Sequence, residues 1–390
     1  LLADDGASRA NILSGDAAHS LLTMSTVLTP RGQIGRDYAA YFARPYGVLK
    51  TILHTVLEIV RERRSAFHQR IAGIEPRIHR SWTYAAMRAW ATVIQLDLQV
   101  AAVVGDMLAG RPAIYTTFLA YDEVAHHSGI ERPETLDTLR KVDHQIWRIA
   151  RIAALAPRPY RLVVLSDHGQ SQGATFRQRY GETLEEVVRD GIAGAAADGR
   201  PRDPDRPDEL EGEANPRAYL SASFEEASHE DGAIGRTARQ AARRDPYRDD
   251  IGLEPAPEPE GELPPELSVM ASGCLGLITF PREPGRLTRE RIERLHPGLL
   301  DRLRRHPGIG FVLVDTEVDG AVALGGDGER WLERDRVEGA DPLAPFGPNA
   351  AAHVLRTHRF SNCPDILVNS TVWPELDEIA AFEELVGSHG

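Results

Sequence analysis

Cysteine is scarce: the 390 residues hold two, Cys274 and Cys363, with no C-x-x-C spacing. A disulfide scaffold is not expected, and a cysteine-built zinc site is excluded. Long apolar runs are missing too. The nearest, Ala89 to Leu108, is interrupted by Gln95, Asp97, Gln99 and Asp106, and reads as a buried helix rather than a membrane span. The opening of the chain, through Leu28, has neither a basic start nor an unbroken apolar core, so no secretory signal is visible. Basic charge is in deficit, 45 Lys and Arg against 58 Asp and Glu, for a formal net charge of -13. That argues against a nucleic-acid duplex as partner, since such binding needs a cationic face. It leaves room for a small phosphorylated substrate, because a bound metal or a local arginine overrides the global sign. The chain starts without Met and stops just after an apolar pattern. It is therefore read as a fragment, with any membrane tether in missing termini and its location open between cytoplasmic and membrane-associated.

What is present is enough apolar material, 42% of residues, for a sizeable core. Val48, Leu49, Ile52, Val56, Leu57 and Val60 recur at helical spacing and predict a helix from Tyr46 to about Ile71. A second helix is expected from Thr83 to Leu108, ended by Gly110 and Pro112. AIYTTFLAY, residues 113–121, reads as a buried strand, residues 133–154 as a helix, and RLVVL, residues 161–165, as a further strand. Strand, loop, helix, strand is the βαβ order. It predicts an α/β fold with a mostly parallel central sheet and helices on both faces. From 195 to 265 the composition turns acidic and Pro-rich, as in DGRPRDPDRPDELEGE and EPAPEPEGELPPE. This predicts a disordered insertion. Structure is expected to resume with LSVMASGCLGLITF at 267–280, a helix over 287–304, and strands at 310–314, 322–324 and 365–369. Residues 1–194 and 266–390 are thus read as two parts of one catalytic domain.

Chemistry-bearing residues gather where strands are expected to end. FLAYDEVAHHSG places Asp122 four residues before His126. LVVLSDHGQSQG ends an apolar run in Ser166, Asp167 and His168, and the chain closes on GSHG with His389 between small residues. Carboxylates and imidazoles in glycine-bounded loops suit zinc, and also manganese or iron. Taken singly, a DHG after a strand is as well explained by a cap or turn, and Asp122 by capping of the next helix. His353 and His358 sit in a helical pattern and rank behind His389. Arg61, Arg63 and Arg64 read most simply as the polar end of an amphipathic helix; a membrane-surface role stays open but needs more basic charge than this.

In this order, D-x-x-x-H, S-D-H-G and G-S-H-G resemble the motifs of the alkaline phosphatase superfamily, closest to its type I phosphodiesterase and nucleotide pyrophosphatase branch. The resemblance implies an alkaline-phosphatase-like α/β fold and a phosphoric ester hydrolase with two divalent metal ions, zinc first among the candidates. Asp122, His126 and His389 would hold one ion, and Asp167 and His168 the other, roughly 4 Å apart around a phosphate. It also implies a Thr or Ser nucleophile near a first metal-binding Asp. No convincing equivalent precedes Asp122; the opening ADDGASRANILSGD offers Asp4, Asp5 and Ser8 as the lesser alternative, and the nucleophile segment is expected upstream of Leu1, in which case the fragment itself is expected to bind metal poorly and turn over little or nothing. Arg9 and Asn11 remain as phosphate donors, with a plain loop role as the simpler reading. Sulfatases are disfavoured, because C-x-P-x-R and S-x-P-x-R are both missing. A phosphomutase, or a non-catalytic partner-binding protein on the same fold, are the rival readings.

Overall fold

In the computed structural model, which describes residues 2–21, 23, 45–193 and 266–389, the chain divides into two units. Of these, residues up to 74 and 79–166 belong to the first, and 75–78 with everything from 167 onward to the second. The insertion expected over 195–265 lies outside the described residues.

The first unit opens with α1 (Leu2–Asp5), β1 (Ala7–Arg9) and β2 (His19–Leu21). It continues through the long helix α2 (Pro45–Ile71), α3 (Trp82–Leu108), β3 (Ile114–Thr116), α4 (Ala120–Ser128) and α5 (Pro133–Ala153). The three strands form a parallel sheet in the order β2-β1-β3. β1 is buried along its whole length. Arg9 is tolerated there because its guanidinium grips Asp106 of α3 with two hydrogen bonds of 2.7 and 2.8 Å, the bidentate geometry that suits a buried pair. α3 is long and apolar enough to cross a membrane by composition alone, yet more than half of its most apolar window is buried. Val100, Val103 and Met107 pack there against Ile149 of α5. A π turn occupies its middle, at Trp90–Gln95. Its N-terminus is capped by the Ser81 hydroxyl, which accepts from the Tyr84 amide at 3.0 Å. Removing that acceptor in Ser81→Ala is expected to cost about 1 kcal/mol in urea denaturation.

The second unit holds β4 (Ser171–Gln172), α6 (Phe176–Tyr180), α7 (Leu184–Ala193), β5 (Ser268–Ser272), β6 (Leu275–Thr279), α8 (Arg289–Leu295) and α9 (Leu299–Arg305). After these come β7 (Ile309–Val314), β8 (Val322–Leu324), β9 (Gly328–Trp331), β10 (Arg336–Gly339), α10 (Ala350–His358), β11 (Ile366–Ser370), β12 (Val372–Trp373), β13 (Glu378–Ile379) and β14 (Gly387–Ser388). Seven of these strands make an antiparallel sheet in the order β10-β9-β8-β7-β11-β6-β5. Alternation along a strand sends successive side chains to opposite faces. Val312 and Val314 accordingly join Ile292, Leu299 and Leu303 from α8 and α9. Phe311 and Leu313 join Leu343 and Ala350 on the other face. A smaller four-stranded sheet, β12-β13-β4-β14, completes the unit.

The chain is therefore mixed α/β. Parallel pairing within a sheet of three strands is found in the first unit, while the large sheet of the second unit is antiparallel. Two expected strands turned out differently. β3 covers only three of the nine residues 113–121, and Ala120 already starts α4. RLVVL shows no strand at all: Val163 is 70% and Leu165 78% exposed. A β-branched run supplies propensity, but a strand exists only when its amides and carbonyls find a ladder. The helix expected over 287–304 is broken at Pro297 and Gly298, the latter at φ 87.

Candidate metal centre

Within the first unit, β1 and β3 end side by side. Asn11, just past β1, is buried; its amide donates to Ser8 Oγ at 2.7 Å and to the Tyr115 carbonyl at 3.0 Å. Its carbonyl oxygen accepts from Thr117 Oγ1 at 2.6 Å. Gln99 of α3 donates to the Thr116 hydroxyl and the Thr117 carbonyl. This net ties down the loop that launches α4. Asp122 stands in the first turn of α4, where the helix dipole favours a carboxylate. One helical turn later His126 lies on the same face, its Nε2 3.3 Å from Asp122 Oδ1. The imidazole is buried while the Asp122 side chain stays 30% exposed. D-x-x-x-H is thus a helical i, i+4 pair, not a strand-end pair.

Next to it, His127 points the other way, into a buried set of charges. Its ring stacks on Tyr84 at 4.1 Å, and its Nδ1 lies 3.1 Å from the Glu123 carbonyl. Burial pulls its pKa down to about 4. The unfolded chain takes up a proton at its ordinary value near 6.5, and the folded one does not until about 4. Stability from this group is therefore complete above pH 6.5 and lost as the pH falls toward 4, by about 3 kcal/mol. His127→Phe, which keeps a ring against Tyr84, is expected to lose that slope when urea midpoints are compared at pH 7 and pH 4.5.

In the second unit, the SDHG and GSHG motifs are joined by a ladder. β14 pairs antiparallel with β4, Ser388 opposite Ser171 and Gly387 opposite Gln172, and the Gly173 amide donates to the Val386 carbonyl at 3.0 Å. Extending that register sets His389 beside the residues that follow His168. The two imidazoles lie with ring centroids 3.9 Å apart, and a ring nitrogen of each falls within 4.8 Å of one of the other. Asp167 flanks them, its carboxylate 3.7 Å from His168 Nε2, and its Oδ1 accepts from the His168 amide at 3.1 Å. Both side chains remain accessible, 35% for His168 and 60% for Asp167. Imidazole, imidazole and carboxylate is a donor set that fits zinc, manganese or iron. His358, by contrast, is buried and accepts from Arg286 at 2.7 Å, a packing role.

Sequence reasoning missed how His389 is held. Gly273 is the first residue of the two-residue turn between β5 and β6, at φ +58. A Cβ there would lie 2.0 Å from the His389 carbonyl oxygen, which accepts from the Cys274 amide at 3.0 Å. A glycine inside S-G-C between two apolar runs does signal a hairpin, but its contact with the distant GSHG is tertiary. Gly273→Ala is expected to displace His389 and weaken zinc binding about 10-fold to 100-fold, measured by competition with a chromogenic chelator.

Imidazole and carboxylate donors brought together on a mixed α/β chain make a candidate metal centre. Residues 27–245 match the family described as type I phosphodiesterase / nucleotide pyrophosphatase. The chain belongs to this family, and through it to the alkaline phosphatase superfamily. Its members are metal-dependent phosphoesterases acting on small phosphorylated substrates such as nucleotides. The matched span contains Asp122, His126, Asp167 and His168, while His389 lies beyond it. No curated protein matches the chain, and no solved structure does.

Proposed function

We propose that the chain carries the metal-binding part of a phosphodiesterase or nucleotide pyrophosphatase site that takes two divalent cations. Zinc is the first choice, with manganese or iron accepting the same donors. Asp122, His126 and His389 are assigned to one ion and Asp167 and His168 to the other. The observation that carries this reading is the pairing of His168 with His389 along the β4–β14 ladder. Nothing in ordinary turn capping requires two imidazoles from segments so distant in sequence to lie together. When bound, such ions neutralise the developing charge on a phosphoryl group and lower the pKa of bound water. The residues of the chain hold and orient: Asp122 and Asp167 contribute negative charge, and the histidines contribute neutral nitrogen donors. The substrate class is a small phosphodiester or pyrophosphate of the nucleotide type.

Metal content per chain after dialysis tests this directly, for the parent and for Asp167→Ala with His168→Ala. The parent is expected to retain bound zinc or manganese and the double variant to lose at least one equivalent, with the same far-ultraviolet circular dichroism. A folded parent that retains no metal from excess zinc or manganese would sink the reading and return SDHG to the status of a turn.

A further inference from the structure

Helix α2 is packed with its polar side inward. Thr51, Glu58, Glu62 and Gln69 are buried, and the last three meet Arg80, Arg88, Lys141 and Glu134 of the same unit. Its apolar stripe faces outward instead. Leu49, Ile52, Leu53, Val56, Val60 and Phe67 are 53% to 67% exposed. The spacing is that of one helical face, along a helix about 40 Å long. Trp82 extends the patch: it is 68% exposed and lies under the Arg63 guanidinium at 4.7 Å. Monomeric soluble proteins seldom leave a continuous apolar strip of this extent uncovered.

The exposed charge along α2 itself is one-signed. Lys50, Arg61, Arg64 and Arg70 are exposed along α2. The helix has two carboxylates from Leu49 to Ile71, Glu58 and Glu62, and both point inward. The outward surface of α2 is therefore apolar and cationic in a chain of net charge -13. Two copies meeting through this strip would set like charges against each other. We propose that α2 docks the protein on an anionic lipid surface. Its apolar side chains and Trp82 enter the headgroup boundary, and the flanking arginines and lysine meet lipid phosphates. The sequence alone undercounted the basic charge available, because it could not show that both acids are turned away.

Co-sedimentation of the full chain with vesicles tests it, using phosphatidylcholine alone and phosphatidylcholine with phosphatidylglycerol. Binding is expected to the anionic vesicles, weaker in high salt. Arg61→Gln with Arg64→Gln should weaken it roughly five-fold per residue, and Leu53→Ser with Val56→Ser and Val60→Ser should abolish it. All these positions are exposed, so unchanged circular dichroism is the control for folding. Binding that ignores both sets of substitutions overturns the proposal, as does no binding to either vesicle. If the parent instead dimerises in light scattering and the triple serine variant is monomeric, the strip is a self-association surface and the lipid assignment is wrong. Metal content plays no part in these readouts, so they stand or fall independently of the hydrolase reading.

Discussion

Arg88→Met is expected to destabilise the first unit by about 3–5 kcal/mol, the largest effect of any single substitution considered for this chain. Arg88 is 3% exposed and lies between two carboxylates that are themselves 0–2% exposed. It donates to Glu58 at 3.3 Å and makes a short contact with Glu62. Arg80 also reaches Glu62, at 3.2 Å, and binds the Ser128 hydroxyl at 2.6 Å and the Gln69 side chain at 2.9 Å. The two glutamates respond differently to this setting. Burial pushes the Glu62 carboxyl upward, and Arg88 and Arg80 only partly oppose it. For Glu58 the same burial is outweighed by Lys141 and Arg88, and the carboxyl is held below its usual range. Removing Arg88 leaves Glu62 with Arg80 alone in a site that disfavours charge. The paired change Arg88→Met with Glu62→Leu is expected to recover most of the loss, because far less uncompensated charge then stays buried. Urea denaturation of the two variants decides it: equal losses in both would show that shape, not charge pairing, sets the cost.

His168→Ala combined with His389→Ala is expected to weaken zinc binding by about 10³-fold. A single outer-shell partner of a metal ligand is typically worth about 10-fold to 100-fold, and this change removes two proposed inner donors at once. Both rings stand at the end of the β4–β14 ladder, whose pairing is made by backbone groups. Melting temperature without metal should therefore stay close to that of the parent. Zinc should raise the melting temperature of the parent and not of the variant, since a ligand that binds only the folded state stabilises it more the tighter it binds. Equal stabilisation of both proteins by zinc would remove these two histidines from the site.

The neighbouring residues His126 and His127 illustrate how local spacing divides roles. His126 shares a face with Asp122 because they are four apart on α4. His127, one step round the helix, is carried into the unit against Tyr84. The motif D-x-x-x-H-H shows the first relation in its spacing alone; the second depends on α3, an earlier and separate element of the chain.

Nearest-neighbour chemistry determined much of this protein in advance. α5 is marked by Pro133 at its start and an amphipathic repeat, and α2 by its helical spacing of apolar residues. β7, β8 and β11 fall where their apolar runs stand. The order D-x-x-x-H, S-D-H-G, G-S-H-G was enough to name the family. Tertiary structure decided the rest, since pairing and facing depend on residues far away in sequence. RLVVL has the composition of a buried strand, yet its backbone joins no ladder. The periodicity of α2 located two stripes but could not say which one faces in. Arg88 of α3 and Arg80 just before it chose the polar one, because Glu58 and Glu62 needed cations more than Leu53 and Val56 needed cover. His168 and His389 likewise owe their contact to a short ladder, Ser171 with Ser388 and Gln172 with Gly387. It closes most of the second half of the chain into one loop, an arrangement no local pattern encodes.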